Sequence, residues 1–190
     1  MPRVLCLALG MMFGLSDMLD PRLPLKLPED LRVKIVNFSY DRVDMFQVNS
    51  ASRGRRRFCN LNKIDHELTE EVKLFSKECY SAIGIHTFQE EPMFGNFIGF
   101  NTSGSSVHPH KDPRGPLGEW HIRLNFLVQK PFSGGLPMLN GIQYEIDEGS
   151  SWKNIACVWN HETSPVVGEK ERIVLSLGAL VEESLATKLL

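Results

Sequence analysis

Two segments in the second half of the chain alternate between apolar and polar residues, the period of two that is typical of β-strands. In residues 121–129 the apolar side consists of Ile122, Leu124, Phe126 and Val128, and the opposite side carries His121, Arg123 and Asn125. In residues 172–177 one side carries Arg172, Val174 and Ser176 and the other carries Ile173, Leu175 and Leu177. Each strand therefore has one side suited to a core and another that brings polar groups together.

Short predicted strands recur from residue 94 onward, and clusters of glycine, serine and aspartate separate them. The turn clusters are residues 102–106, 133–135 and 147–149. Short strands at intervals of roughly ten residues predict a barrel or a double-sheet jelly roll. If the polar sides line its interior, Arg123, Asn125, Arg172 and Ser176 point into one space.

The first third of the chain predicts mixed structure. Residues 21–28 are rich in proline and cannot form a continuous helix. Residues 32–36 and 45–48 are predicted to be short strands. A helix is predicted to follow Thr69 as its N-cap and to end at Gly84. It has a single apolar stripe, so we expect it to pack on the outside of a sheet.

The segment from His110 to Asp112 carries the strongest chemical signal. Its imidazole and carboxylate are two residues apart, so on an extended strand both project from the same side. His161, at the end of a later predicted strand, supplies a second imidazole. Two imidazoles and one carboxylate form the facial triad of non-haem Fe(II) oxygenases, which leaves the opposite coordination positions open. Arg172 follows His161 and is placed to pair with a carboxylate of a co-substrate.

Other residues fit less specific roles. We interpret His108 and His121 as hydrogen-bonding or rim residues instead of metal ligands. The basic run at residues 53–57 is either a solvated loop or a patch that holds an anionic part of a substrate. Zn²⁺ or another divalent ion would also suit the same donors, because affinity alone does not select iron.

Composition predicts one globular domain. The chain has 190 residues, of which 42% are hydrophobic, and this is enough for a single domain with a core, which we assign to residues 21–190. The formal net charge of -2 gives no global field that would attract nucleic acid or an anionic membrane. We therefore expect no nucleic-acid partner.

Residues 1–20 are predicted to be an apolar extension or a targeting segment. Their uncharged run, residues 4–15, is shorter than the roughly 20 residues of a membrane span but matches the core of a signal peptide. A single arginine, Arg3, precedes it, which favours an extension over secretion. The four cysteines are scattered without a metal-binding or disulfide pattern, as in a reducing compartment. We expect a cytoplasmic protein without a stable membrane span.

Four segments of this sequence resemble one oxygenase family. They are residues 103–112, residues 121–127, residues 148–152, and Asn160 and His161 followed by residues 171–175. The first resembles the glycine turn and His-x-Asp motif of Fe(II)/2-oxoglutarate-dependent oxygenases. Together they are similar to the aspartyl/asparaginyl β-hydroxylase group, whose pattern the bacterial cis-proline hydroxylases share. The resemblance covers roughly residues 90–180 and implies a mainly β, cupin-like double-stranded β-helix with flanking helices.

The resemblance also implies roles for individual residues. His110, Asp112 and His161 would bind Fe(II), and Arg172 would bind the distal carboxylate of 2-oxoglutarate. Arg123 would lie near this co-substrate or near a substrate carboxylate, and Asn125 and Ser176 would lie near the co-substrate. Asn125 stands where the mammalian aspartyl hydroxylases carry a histidine. Asp112 is present where those enzymes lack the carboxylate ligand, and its presence argues against a halogenase.

The implied reaction uses O2 and 2-oxoglutarate to hydroxylate an unactivated C–H bond. The cis-proline hydroxylase resemblance favours a small carboxylated substrate, such as a free amino acid, over a peptide or protein. A hydroxylase of peptide or protein side chains is one alternative. A non-catalytic, cupin-like metal-binding domain is the other.

Overall fold

The structure is a computed structural model that describes residues 20–48 and 55–190. The predicted extension or targeting segment therefore lies outside the described residues, apart from residue 20, as do Arg53 and Gly54 of the basic run. The strands are β1 (Arg22–Lys26), β2 (Gln47–Val48), β3 (Arg56–Asn60), β4 (Gln89–Glu90), β5 (Phe97–Asn101), β6 (Val107–His110), β7 (Trp120–Gln129), β8 (Ser133–Gly134), β9 (Pro137–Leu139), β10 (Ile142–Gln143), β11 (Ser150–Ile155), β12 (His161–Thr163), β13 (Val166–Val167) and β14 (Arg172–Val181). The helices are α1 (Glu29–Asp41), α2 (Glu67–Ala82) and α3 (Glu183–Ala186).

Two antiparallel sheets face each other across a cavity. The larger sheet has the strand order β1-β11-β7-β14-β5-β3-β2, with β4 paired to β14. The smaller sheet has the order β10-β9-β12-β6, and β13 pairs with β8 in a separate ribbon. Residues of both sheets line the cavity between them. The predicted double-stranded β-helix, or jelly roll, is confirmed.

Strands β7 and β14 form the centre of the larger sheet, and every residue in them is buried. Their apolar sides form the core under the helices, where the Phe75 ring of α2 lies 5.1 Å from the Phe126 ring. Their polar sides face the cavity, as the alternation predicted. Both faces of these strands are therefore covered, one by the helices and the other by the second sheet across the cavity.

One hydroxyl in the core ties α2 to both central strands. Tyr80 is fully buried, and its hydroxyl lies 3.1 Å from the Ile122 carbonyl and 2.9 Å from the Leu177 carbonyl. Tyr80→Phe should lower the free energy of unfolding by about 1–3 kcal/mol, because buried acceptors lose their donor. Urea denaturation measures this loss. The same change at the more exposed Tyr40 should cost less, and an equal loss at both positions would contradict this role of Tyr80.

One strand predicted in the first third of the chain is instead part of a helix. Residues 32–36, predicted to be a strand, lie within α1, where Leu31, Ile35 and Phe38 recur at helical spacing and are buried. The helix follows Pro28, and acidic residues occupy its first turn, as the helix dipole favours. The β-branched residues of this segment suggested a strand, although its buried residues recur at every third or fourth position, as in a helix.

Helix α2 begins earlier than predicted. Its N-cap is His66, whose Nδ1 accepts a hydrogen bond from the Leu68 amide at 3.1 Å. Thr69 lies inside the helix, and its buried hydroxyl donates to the Leu61 carbonyl at 3.0 Å. Gly84 follows the helix with a φ of +83°, as its predicted role at the end requires. Among the described residues, no helix is long and apolar enough to cross a membrane.

Candidate metal centre

Strand pairing brings together the three predicted metal ligands. His110 ends β6, Asp112 follows it, and His161 begins β12 directly opposite His110 in the antiparallel register. One ligand atom from each of the three lies within 4.8 Å of the other two. Donors from two distant parts of the chain thus meet at one edge of the cavity.

Backbone carbonyls fix which nitrogen of each imidazole faces this point. Nδ1 of His110 lies 2.7 Å from the His108 carbonyl, and Nδ1 of His161 lies 3.3 Å from the Trp159 carbonyl. A carbonyl only accepts hydrogen bonds, so both Nδ1 atoms carry the proton. Both Nε2 atoms then present a lone pair, as metal ligation requires.

Asp112 is ionised at neutral pH. Burial alone would raise the pKa of its carboxyl, but contact with the His110 imidazole and nearby positive charge outweigh burial and lower the pKa to about 2. The same contact raises the pKa of His110, whereas burial, followed by the charge of His110, lowers the pKa of His161. A carboxylate next to two imidazoles is a donor set that suits a divalent transition metal.

The two oxygens of Asp112 have different neighbours. Oδ1 lies 3.4 Å from Nε2 of His110 and 4.0 Å from Nε2 of His161. Oδ2 lies 3.3 Å from Nδ1 of His121 and 3.7 Å from Nε of Arg123. Burial, followed by the charge of Arg123, lowers the pKa of His121 to about 4, so this imidazole is neutral. His121 therefore contacts Oδ2, the oxygen of Asp112 that does not face His110 and His161.

A cavity of about 420 Å³ extends from these donors between the sheets. Its size falls in the ordinary range of small-molecule sites. Arg56, Asn101 and Arg172 lie opposite one another on β3, β5 and β14, so their side chains share one face. Asn125 and Ser176 form a second row with Trp152 and Phe97. All four predicted co-substrate residues line this cavity, although their roles remain predictions.

Arg172 is a buried cation without an anionic partner in the described part of the chain. Its residue is 4% exposed, and its Nε has no hydrogen-bond partner. Burial, followed by the charge of Arg56, lowers its pKa to about 10, so it is still protonated at neutral pH. Burying an unpaired charge is costly. The cavity is therefore suited to an anion that pairs with Arg172.

Arg123, by contrast, already has a carboxylate partner. Its Nη2 donates to Glu91 at 2.9 Å, and both side chains are 7% exposed. Its Nη1 lies 3.5 Å from the Ser176 hydroxyl. This pairing compensates the charge of Arg123, so Arg172 is the better placed of the two for a co-substrate carboxylate.

Sequence reasoning missed two cavity or near-cavity residues, Asn154 and Glu91, and it included Arg56 only as part of the basic run that could hold a substrate anion. Arg56 was hidden in the basic run, although it alternates with Phe58 and Asn60 on β3. Asn154 lies opposite Arg123, and its buried Oδ1 has no hydrogen-bond partner within residues 20–48 and 55–190. Glu91 lies outside every motif, so no local pattern could have indicated it.

The comparisons with known proteins identify the fold. No family model matches the sequence, and no curated protein is significantly similar to it. A prolyl-4-hydroxylase from Pseudomonas putida has a TM-score of 0.64 and 14% identity, over 88% of this chain and 96% of that one. A viral collagen prolyl hydroxylase from Paramecium bursaria Chlorella virus-1, in complex with 2-oxoglutarate, has a TM-score of 0.60 and 13% identity, over 89% of this chain and 100% of that one.

A third similar structure is a prolyl hydroxylase from Trichoplax adhaerens, in complex with a peptide fragment of the hypoxia-inducible factor oxygen degradation domain. Its TM-score is 0.62 and its identity 14%, over 87% of this chain and 85% of that one. The chain thus shares the architecture of 2-oxoglutarate-dependent Fe(II) oxygenases. The aspartyl/asparaginyl β-hydroxylase group remains a prediction from sequence.

Proposed function

We propose that this chain is an Fe(II)- and 2-oxoglutarate-dependent dioxygenase that hydroxylates an unactivated C–H bond. The observation that carries the proposal is the convergence of His110, Asp112 and His161 on a cavity that also contains Arg172, a cation with no anionic partner among the described residues. The shared fold agrees with it. A metal site alone would not require a buried guanidinium in the same cavity.

The residues fit both iron and its co-substrate. His110, Asp112 and His161 would hold Fe(II), and the fixed Nδ1 protons leave both imidazoles ready to bind it. When bound, iron and 2-oxoglutarate supply the oxidising chemistry, in which O2 converts the co-substrate to succinate and carbon dioxide and hydroxylates the substrate. The chain contributes donor orientation and a cavity that combines polar groups with an aromatic wall.

Arg172 would bind the distal carboxylate of 2-oxoglutarate. Two parallel N–H groups of a guanidinium match a carboxylate, which the single charged point of lysine cannot reproduce. Asn125 and Ser176 lie on the same polar face and would line the co-substrate. The side chain of Arg172 also packs closely against Gly135. A Cβ atom at Gly135 would lie 2.6 Å from Cδ of Arg172.

The proposed substrate is a small carboxylated molecule, such as a free amino acid. Arg56 is near enough to Asp112 for their charges to interact, so it would face a substrate beside the metal. Phe58, Phe94 and Phe97 form an adjoining aromatic wall, in which the Phe58 and Phe94 ring centroids lie 5.5 Å apart. A substrate with one anionic group and an apolar body would suit both features.

A peptide side chain is the second candidate substrate. The structure from Trichoplax holds a peptide, and in this chain β6 is an edge strand whose residues from His108 to His110 are exposed. An exposed edge strand can accept an extended peptide. Succinate release measured with a panel of free amino acids, their carboxamides and short peptides distinguishes the two candidates.

Arg56→Ala should raise the KM for a carboxylated amino acid by roughly 10-fold or more, since a hydrogen bond to a charged group contributes about 1.5–3 kcal/mol. The KM for the matching carboxamide should change little. Arg55→Ala, at the exposed neighbouring arginine, is the control. Equal effects of Arg56→Ala on acid and amide would exclude Arg56 as the carboxylate-binding residue.

Metal binding without 2-oxoglutarate consumption, across the whole panel, would instead support a non-catalytic cupin-like domain. Such a domain would also tolerate substitution of Arg172. Succinate release that depends on added Fe(II) would exclude it.

A further inference from the structure

Glu91 is an acidic side chain that is buried close to the metal centre without facing it. It is 6% exposed, and its carboxylate accepts hydrogen bonds from the amides of Met93 at 2.7 Å, Phe94 at 2.8 Å and Gly95 at 3.1 Å. Its own amide donates to the Gly178 carbonyl at 3.1 Å. Glu91 therefore has a fixed position and also fixes the turn that carries Phe94.

Arg123 lies between Glu91 and the metal ligand Asp112. Its Nη2 donates to Glu91 at 2.9 Å, and its Nη1 donates to the Gly95 carbonyl at 3.3 Å. Its guanidinium also lies over the Phe97 ring, 4.9 Å from the ring centroid. These contacts leave Nε 3.7 Å from Oδ2 of Asp112, which is beyond hydrogen-bonding distance.

The backbone leaves room for this arrangement. A Cβ atom on Gly178 would lie 2.8 Å from Nη1 of Arg123 and 2.7 Å from the Gly95 carbonyl oxygen. Any larger residue at this position would displace the guanidinium or the turn. The location of Arg123 is thus determined by Glu91, by Gly95 and by the absence of a side chain at Gly178.

The charges explain why this location matters. A guanidinium and a divalent metal ion are both cations and are both attracted to the carboxylate of Asp112. While Glu91 holds Arg123, the cation stays near Oδ2 and leaves Oδ1 turned toward the two Nε2 atoms of His110 and His161. If Glu91 lost its charge, the nearest carboxylate for Arg123 would be Asp112, and the guanidinium would compete with the metal.

We propose that Glu91 is a positioning residue that acts through Arg123 to keep one oxygen of Asp112 available to the metal. The proposal rests on the proposed function, since it takes Asp112 to be a metal ligand. The same carboxylate anchors Phe94, so the aromatic wall of the cavity and the orientation of a metal ligand depend on one buried group.

The test is the Kd of Co(II), which replaces Fe(II) without oxidising in air, measured on the apo-protein by competition with a chelating indicator. Glu91→Gln should raise this Kd by roughly 10-fold, the effect typical of a residue that orients a metal ligand. Glutamine keeps the size of the side chain and one acceptor oxygen for the turn amides, and it removes the charge that holds Arg123. Glu90→Gln, at the exposed neighbouring residue, should leave the Kd unchanged.

A double-mutant cycle separates this role from a merely structural one. In an Arg123→Gln background, Glu91→Gln should have little further effect on the Kd, because its effect passes through Arg123. An equal loss in both backgrounds, or an unchanged Kd in Glu91→Gln, would overturn the proposal. Urea denaturation of each apo-variant confirms that it is folded. A wild-type protein that binds no Co(II) would instead refute the proposed metal site itself.

Discussion

His161→Ala should abolish Fe(II) binding and turnover. His161 provides one of only three proposed protein donors, and its Nδ1 is held by the Trp159 carbonyl so that Nε2 faces Asp112. Loss of a residue that merely orients a ligand typically costs about 10–100-fold in metal affinity, and loss of the ligand itself should cost more. Equilibrium dialysis with Fe(II) under anaerobic conditions measures the affinity, and succinate release measures turnover.

His108→Ala is the matched control. His108 is exposed and contributes its backbone carbonyl to the centre, and alanine retains that carbonyl. We therefore expect iron binding close to that of the wild type. If His161→Ala bound iron as tightly as His108→Ala does, His161 would not be a ligand.

Arg172→Ala should chiefly weaken 2-oxoglutarate binding. Loss of one partner of a buried charge pair costs about 2–5 kcal/mol, which corresponds to a rise in Kd of roughly 30-fold or more. Arg172→Lys should also bind poorly, since one ammonium group cannot match the two-pronged contact. Trp152 lies beneath the guanidinium, 5.9 Å from its carbon to the ring centroid, so tryptophan fluorescence is a suitable readout of this Kd.

Two further measurements make the Arg172 result specific. The Kd of Fe(II) should change little, because Arg172 is not a metal ligand. Arg172→Met should raise the free energy of unfolding of the apo-protein, since it removes a buried charge that has no anionic partner in the described residues. Arg114→Ala, at an arginine far more exposed than Arg172, is the control. Full turnover of Arg172→Ala at ordinary 2-oxoglutarate concentrations would contradict the assigned role.

Much of the fold could be predicted from the sequence because its central strands have one apolar side and one polar side. The alternation in β7 and β14 predicted which residues face the cavity, and it placed Arg123, Asn125, Arg172 and Ser176 correctly on that side. The helix α1 was missed because its apolar residues are interleaved with branched residues that resemble a strand. Burial against the sheet, which is a tertiary effect, decides its structure.

The candidate site was only partly predictable, for a similar reason. The donors His110, Asp112 and His161 stand out because metal ligation restricts residue type and spacing. The pairing of Arg123 with Glu91 joins β7 to a residue just after β4, 32 residues earlier in the chain, and no local pattern indicates it. Sequence reasoning could therefore place Arg123 at the cavity, but it could not show that a carboxylate already compensates its charge.

Anaerobic titration of the apo-protein with Fe(II) and then 2-oxoglutarate tests the proposed chemistry most directly. If the three donors hold iron next to the co-substrate site, the wild type and His108→Ala will develop a visible metal-to-ligand charge-transfer band, and His161→Ala will not. A folded wild type that binds iron but develops no band with 2-oxoglutarate would contradict the proposed function.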